Sequence, residues 1–254
     1  MIAHSSDQSL YLSNLSWTAF EARARSIPYW ILTTGSIEQH GPHLPLMADA
    51  LVVERLAEIA AARDGSLILP GIRVGALHAF REWPHIRIDS SLLIEQVIAY
   101  AAPARAYGNR LLLLNGHDEN HEPLMVAART LSSEFGTDVV VVEWAQLVTD
   151  VIRNNSTSTS ESHAGEALTS LLLHWYPEHV VKERISAGAM PAGGVLADDL
   201  HVEILAHNPQ SYTRDEVPTG VLGDPRPASA QKGALIADAL VERIGLLVNE
   251  RRWQ

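Results

Sequence analysis

Short apolar runs alternate along this chain with longer stretches of helical period, and that alternation restricts the fold more than any other feature. Tyr29–Thr34, Leu67–Leu69, Leu111–Leu114 and Asp138–Trp144 have the length and composition of strands. Between and after them, Asp49–Arg63, Ser91–Tyr107, Pro123–Phe135, Ala164–Tyr176 and Ala228–Val248 carry helical spacing, after a short amphipathic opening at Trp17–Arg25. Pro103 removes a backbone donor and predicts a bend or break in the second of these helices. Strand, helix, strand, helix argues an α/β fold, with a mainly parallel sheet and helices on both faces. At 254 residues one large α/β domain spanning 1–254 accommodates the pattern. Asp138–Trp144, with four consecutive valines at 139–142, reads as a strand buried on both faces.

With 19 basic against 30 acidic residues the net charge is −11, and no Lys/Arg cluster of the kind phosphate binding needs is present, which argues against a nucleic-acid partner. The balance suits a cationic small molecule better. There is no cysteine, so any metal would be held by histidine and carboxylate. Met1–Asn14 shows no secretion-signal pattern and the apolar runs are too short to span a bilayer, so a soluble cytoplasmic protein is expected, with no membrane partner. Asn154–Ser162 reads as a polar surface loop, and 177–227 as a long irregular region whose Asp198, Asp199 and Glu203 form an acidic group.

Two loops carry the chemistry. The first runs from Gly35 to Asp49, between a strand and a helix, and holds Glu38, His40, His43 and Asp49 within twelve residues. Carboxylate and imidazole are the ligand set for Zn²⁺, Mn²⁺ or Fe²⁺ in a site without cysteine. The plainer reading is a polar loop whose Asp49 caps the following helix. The second, Asn115 to Asn120, follows the strand Leu111–Leu114, and its His117 and Glu119, two residues apart, suit one site or two adjacent ions. Both loops fall at the carboxyl ends of strands, where open parallel sheets bind ligands.

The chain resembles the creatininase (creatinine amidohydrolase) family. Gly35-Ser36-Ile37-Glu38-Gln39-His40-Gly41-Pro42-His43-Leu44-Pro45-Leu46 followed by Asp49 matches that family's first signature loop, and Asn115-Gly116-His117 with Asn120 its second. His163-Ala164-Gly165 with Thr169-Ser170 matches a third motif in part. Gly220, Gly223, Asp224, Pro225, Ala228, Lys232 and Gly233 match a fourth. The resemblance implies a homo-oligomer, often a hexamer, holding two divalent ions, with Zn first and Mn or Fe as alternatives. It places Glu38, Asp49 and His117 on one ion and His40, Asp49 and Glu119 on the other, Asp49 bridging, with His163 as the proton-transferring residue. Glu119 would also be catalytic through the second ion. Two departures stand out. The third motif has Leu168 where relatives carry Glu, so Glu119 is expected to supply the second carboxylate and Glu166 to be an exposed neighbour. Trp83-Pro84-His85-Ile86 stands where relatives commonly have Phe-Pro-Gly-Thr, which implies a changed substrate. Trp83, His85 and Trp144 are the candidate substrate-binding residues.

The implied activity is metal-dependent opening of a cyclic amide or lactam, with a cationic ring, such as a specialised-metabolite lactam, as the preferred small-molecule substrate. A deformylase or short-peptide hydrolase keeps the same site with another scissile bond. A degenerate metal-binding scaffold without turnover is the non-enzymatic alternative.

Overall fold

In the computed structural model, which describes residues 9–189, 200 and 211–249, the sheet is parallel and four-stranded. Helix α1 (Trp17–Ala24) leads into β1 (Trp30–Thr34), α2 (Ala48–Asp64) and β2 (Leu67–Ile68); α3 (Ser90–Tyr100) and α4 (Ala102–Tyr107) then return to β3 (Arg110–Asn115). Helix α5 (His121–Phe135) leads to β4 (Asp138–Glu143), and short helices α6 (Trp144–Leu147) and α7 (Thr149–Asn155) follow. Strand β5 (Glu161–His163) precedes α8 (Glu166–Trp175); later, β6 (Leu222–Gly223) pairs antiparallel with β5, and α9 (Ala230–Asn249) closes the described chain.

The leucine and tryptophan runs work because successive side chains point to opposite faces. Trp30 and Leu32 of β1 and Leu111 and Leu113 of β3 pack with Leu93, Val97, Ala104, Leu124 and Leu131 from α3, α4 and α5. Ile31, Leu112 and Leu114 point the other way, into a core with α2, α8 and α9 built on Val52, Leu56, Leu171, Leu172, Ile236 and Leu240. Helices therefore cover both faces, as the alternation requires. The break at Ala101, with Pro103 in the first turn of α4, divides the long helix where the sequence predicts.

One expectation on the sheet is corrected. Strand β4 is only half-buried over Asp138–Val141, because it pairs with β3 alone and forms the sheet's edge. An apolar run shows that a strand packs, and says nothing about which place in the sheet it takes.

Strand order β2-β1-β3-β4 makes the boundary between β1 and β3 a topological switch point. The connection after β1 leads away to β2 on one side, and the chain then crosses to β3 on the other. Both candidate loops leave the sheet there. Two glycines let the start of α2 close on that edge: a Cβ on Gly35 would lie 2.7 Å from the Ala50 Cα, and one on Gly116 2.3 Å from the Asp49 carbonyl oxygen. Among the described residues no helix is long and apolar enough to cross a membrane.

Candidate metal centre

Glu38, His40, Asp49 and His117 come together at the switch point, each no more than 5 % exposed. Asp49 lies in the first turn of α2 but does not cap it; Met47 holds the N-cap position. Its carboxylate is turned sideways, accepting from Ser36 Oγ at 2.8 Å, with Oδ1 3.0 Å from His40 Nε2 and Oδ2 3.2 Å from His117 Nδ1. Glu38 Oε1 lies 2.9 Å from the same His117 nitrogen. The second loop is held by its own asparagines. Asn115 donates to the His117 carbonyl at 2.6 Å, and Asn120 spans from the Gly35 carbonyl to the Ala76 N–H.

The tautomers decide what this cluster is for. His117 Nε2 sits 2.9 Å from the Ala76 carbonyl and His40 Nδ1 3.2 Å from the Glu38 carbonyl, so each ring spends its proton on the backbone. The opposite nitrogens then present lone pairs to carboxylate oxygens. Acceptor facing acceptor at about 3 Å is repulsive unless a proton or a cation lies between. His163 repeats the pattern, with Nε2 2.8 Å from the Gln39 carbonyl. Both Glu38 oxygens are buried without a hydrogen-bond partner among the described residues, a costly arrangement for a carboxylate unless it faces a cation. Two overlapping groups have ligand-competent atoms within 4.8 Å of one another: Glu38, Asp49 and His117, and Glu38, His40 and His163. The donor set fits a divalent cation, and the backbone-tethered imidazoles are the usual way such ligands are oriented.

Electrostatics agree. Burial works against charge on all four residues, but the attraction between the carboxylates and the imidazoles outweighs it. Glu38 and Asp49 are held below the usual carboxylate range and His40 and His117 above the usual imidazole range. His163 goes the other way, down to about 4, through burial and the nearby His40 charge. Its ring is stacked on His40 at 4.7 Å and lies 4.2 Å from Phe80.

Residues 13–248 match the family model for creatininase, creatinine amidohydrolase. The chain belongs to the creatininase family. It is 32 % identical over 226 residues to a mycofactocin precursor peptide peptidase of Mycobacterium ulcerans, covering 85 % of this chain and 82 % of that protein. It is 28 % identical over 268 residues to the creatinine amidohydrolase of Pseudomonas putida, covering 96 % and 97 %. A solved structure described as "Creatininase Mn" superposes with a TM-score of 0.77 at 26 % identity, over 94 % of this chain and 97 % of that one. This chain is thus a creatininase-family amidohydrolase with a divalent-metal site.

Within that family frame, the remaining site residues fall in unexpected places. Glu119 stands outside both clusters: its Oε1 accepts the Ala79 N–H at 2.7 Å and its Oε2 the His78 N–H, fastening the 76–86 segment to the second loop. His163 takes the position beside Glu38 and His40 instead. Leu168 is buried in the core. Glu166 is not an exposed neighbour. It is 1 % exposed, accepts the Thr157 and Ser158 N–H groups and pairs with Lys232, because the turn before β5 needs an internal acceptor. The same contacts correct the reading of Asn154–Ser162 as a surface loop, since Ser158 and Ser160 are buried.

Of the substrate-binding candidates, Trp83 is half-buried and packs edge-on against Phe80, which also stacks with Tyr212 at 5.5 Å. His85 folds back on the Trp83 carbonyl at 2.8 Å, while its neighbour Ile86 bridges to Ile37 in the first loop. Trp144 begins α6 and is buried, its indole 3.3 Å from the Gly116 carbonyl. Phe80 and Tyr212 complete an aromatic group around Trp83 beside His163; the sequence names Trp83 alone, because Tyr212 lies far along the chain and no motif joins them. Asp198, Asp199 and Glu203 lie outside the described residues.

Lys232→Met is expected to lower stability by about 3 kcal/mol, because it leaves the buried Glu166 carboxylate without its cation. The shift in urea midpoint measures it. An unchanged midpoint would mean that the two backbone N–H groups alone satisfy Glu166.

Proposed function

We propose that this chain hydrolyses the C–N bond of a small amide at a centre held by Glu38, Asp49 and His117 on one side and His40 with Asp49 on the other. Glu119 completes the second position when it leaves the His78–Ala79 backbone. The observation that supports this is the orientation of the imidazoles, each with one nitrogen on a main-chain carbonyl and the other free for the carboxylate cluster. Divalent ions bound there, Zn²⁺ first and Mn²⁺ or Fe²⁺ as alternatives, polarise a carbonyl and lower the pKa of water. His163 carries the proton. With Nε2 fixed on Gln39, its Nδ1 accepts a proton from the attacking water and passes it to the departing nitrogen. Phe80 and His40 both lie against the imidazole and hold the ring in place.

The substrate in this reading is a ring amide, because ligands so deeply buried favour a compact molecule. A short peptide is the second reading, favoured by the peptidase relative at 32 % identity. Residues 1–254 are taken as one domain, acting as a cytoplasmic homo-oligomer. The test is amine release from lactams, formamides and dipeptides by metal-loaded protein. Turnover of a lactam, lost with chelator and restored by Zn²⁺ or Mn²⁺, is expected. Turnover of dipeptides alone would replace the ring amide with the second reading, and inertness of fully metallated protein toward every amide would overturn both.

A further inference from the structure

We propose that Asp118 sets substrate specificity, binding an ammonium or guanidinium group carried by the substrate next to the scissile amide. This deepens the amide-hydrolase reading and rests on it for the position of the reacting bond.

Asp118 opens the short 3₁₀ turn Asp118–Asn120 between two buried residues, His117 at 3 % and Asn120 at 0 % exposure, yet its own side chain is 73 % exposed. Its Oδ1 lies 3.6 Å from His117 Nδ1, the nitrogen that faces Glu38 and Asp49. The carboxylate therefore stands at the entrance of the buried cluster, one side toward the centre and the other open. Oδ1 also accepts the Glu119 N–H at 3.0 Å, which fixes the side chain's direction, and Oδ2 has no partner among the described residues. No Lys or Arg of the described residues lies within ion-pairing distance. The neighbouring acids are already engaged: Glu119 by the His78 and Ala79 N–H groups, Glu143 by Asn115 and His121. Asp118 is thus an oriented carboxylate beside the buried centre, with Oδ1 toward the His117 imidazole and Oδ2 open, and a cation is the natural complement of that open oxygen.

A plain alternative exists for an acid in this place: a negative charge ahead of α5 complements the helix dipole and needs no ligand. The two differ in what a neutral replacement does. Wild-type, Asp118→Asn and Asp118→Glu proteins, all metal-loaded, are compared on matched probes. These are an aminomethyl-substituted pyrrolidinone against its ethyl isostere, and Gly-Lys against Gly-norleucine. Wild type is expected to prefer the cationic member of each pair. Asp118→Asn should cut that preference ten- to a hundredfold, chiefly through KM, with metal content retained, and Asp118→Glu should restore part of it. An undiminished preference, or no preference in wild type, overturns the proposal. Loss of metal in Asp118→Asn overturns it in favour of a ligand role, and a lowered Tm with selectivity intact in favour of the helix-dipole role. Should no probe be hydrolysed, the amide-hydrolase reading fails on its own. Calorimetric binding of the same pairs then decides the Asp118 assignment by the same ratio.

Discussion

Asp49→Ala is expected to remove most of the bound divalent metal and to lower amide hydrolysis by at least a thousandfold, which is about 4 kcal/mol in the barrier. Asp49 reaches both imidazoles of the centre: one carboxylate oxygen meets His40 and the other meets His117, while Ser36 fixes its orientation. Removing an outer partner of a metal ligand typically weakens affinity 10–100-fold, and a shared ligand should exceed that. Elemental analysis of the variant after gel filtration, beside wild type, makes the measurement. Wild-type metal content would end the assignment of Asp49 as the bridge. Circular dichroism separates that result from misfolding, since Asp49 also lies in the first turn of α2.

The second large effect belongs to His163. His163→Ala should keep the metal and the fold while losing about 10²–10⁴ in kcat, the usual contribution of a positioned acid–base group. A ring amide leaves a poor nitrogen leaving group, so the tetrahedral intermediate collapses backwards unless a proton reaches that nitrogen. His163 is placed for that transfer by its ring, which lies 4.7 Å from His40 and 4.2 Å from Phe80 with Nε2 on the Gln39 carbonyl. The competing role is that of a ligand, because His163 clusters with Glu38 and His40. Joint loss of metal and rate in His163→Ala would establish that role and reject the proton carrier.

Much of this was visible in the order of residues. Helical and strand periods located β1, α2, β3 and α5, and the two polar loops fell at strand ends because a parallel sheet gathers such ends along one edge. Residues close in sequence, such as Glu38, His40 and Asp49, disclosed their convergence through their spacing. Contacts over long separations did not show. Glu119 meets backbone N–H groups some forty residues away, which no side-chain pattern encodes, since every residue but proline has such a group. Glu166 was misplaced for the opposite reason: a glutamate in a polar stretch looks solvated until Lys232, 66 residues on, is seen to reach it. The serines and threonines of 156–160 likewise gave no sign that their backbone was being held from inside. Four consecutive valines suggest burial on both faces, yet they look the same at a sheet's edge, where β4 lies, as in its middle.

The tethering of His40, His117 and His163 to the carbonyls of Glu38, Ala76 and Gln39 has a consequence for how such a protein changes over time. A carbonyl oxygen cannot be removed by a point mutation, so the orientation of all three rings is inherited with the chain's path and is indifferent to what its neighbours become. Drift in the 83–86 segment, or at position 118, therefore alters what enters the cleft without disturbing the rings that act on it. Catalytic competence and substrate choice are written in different parts of the polymer, and new selectivities can be tried without first losing the reaction.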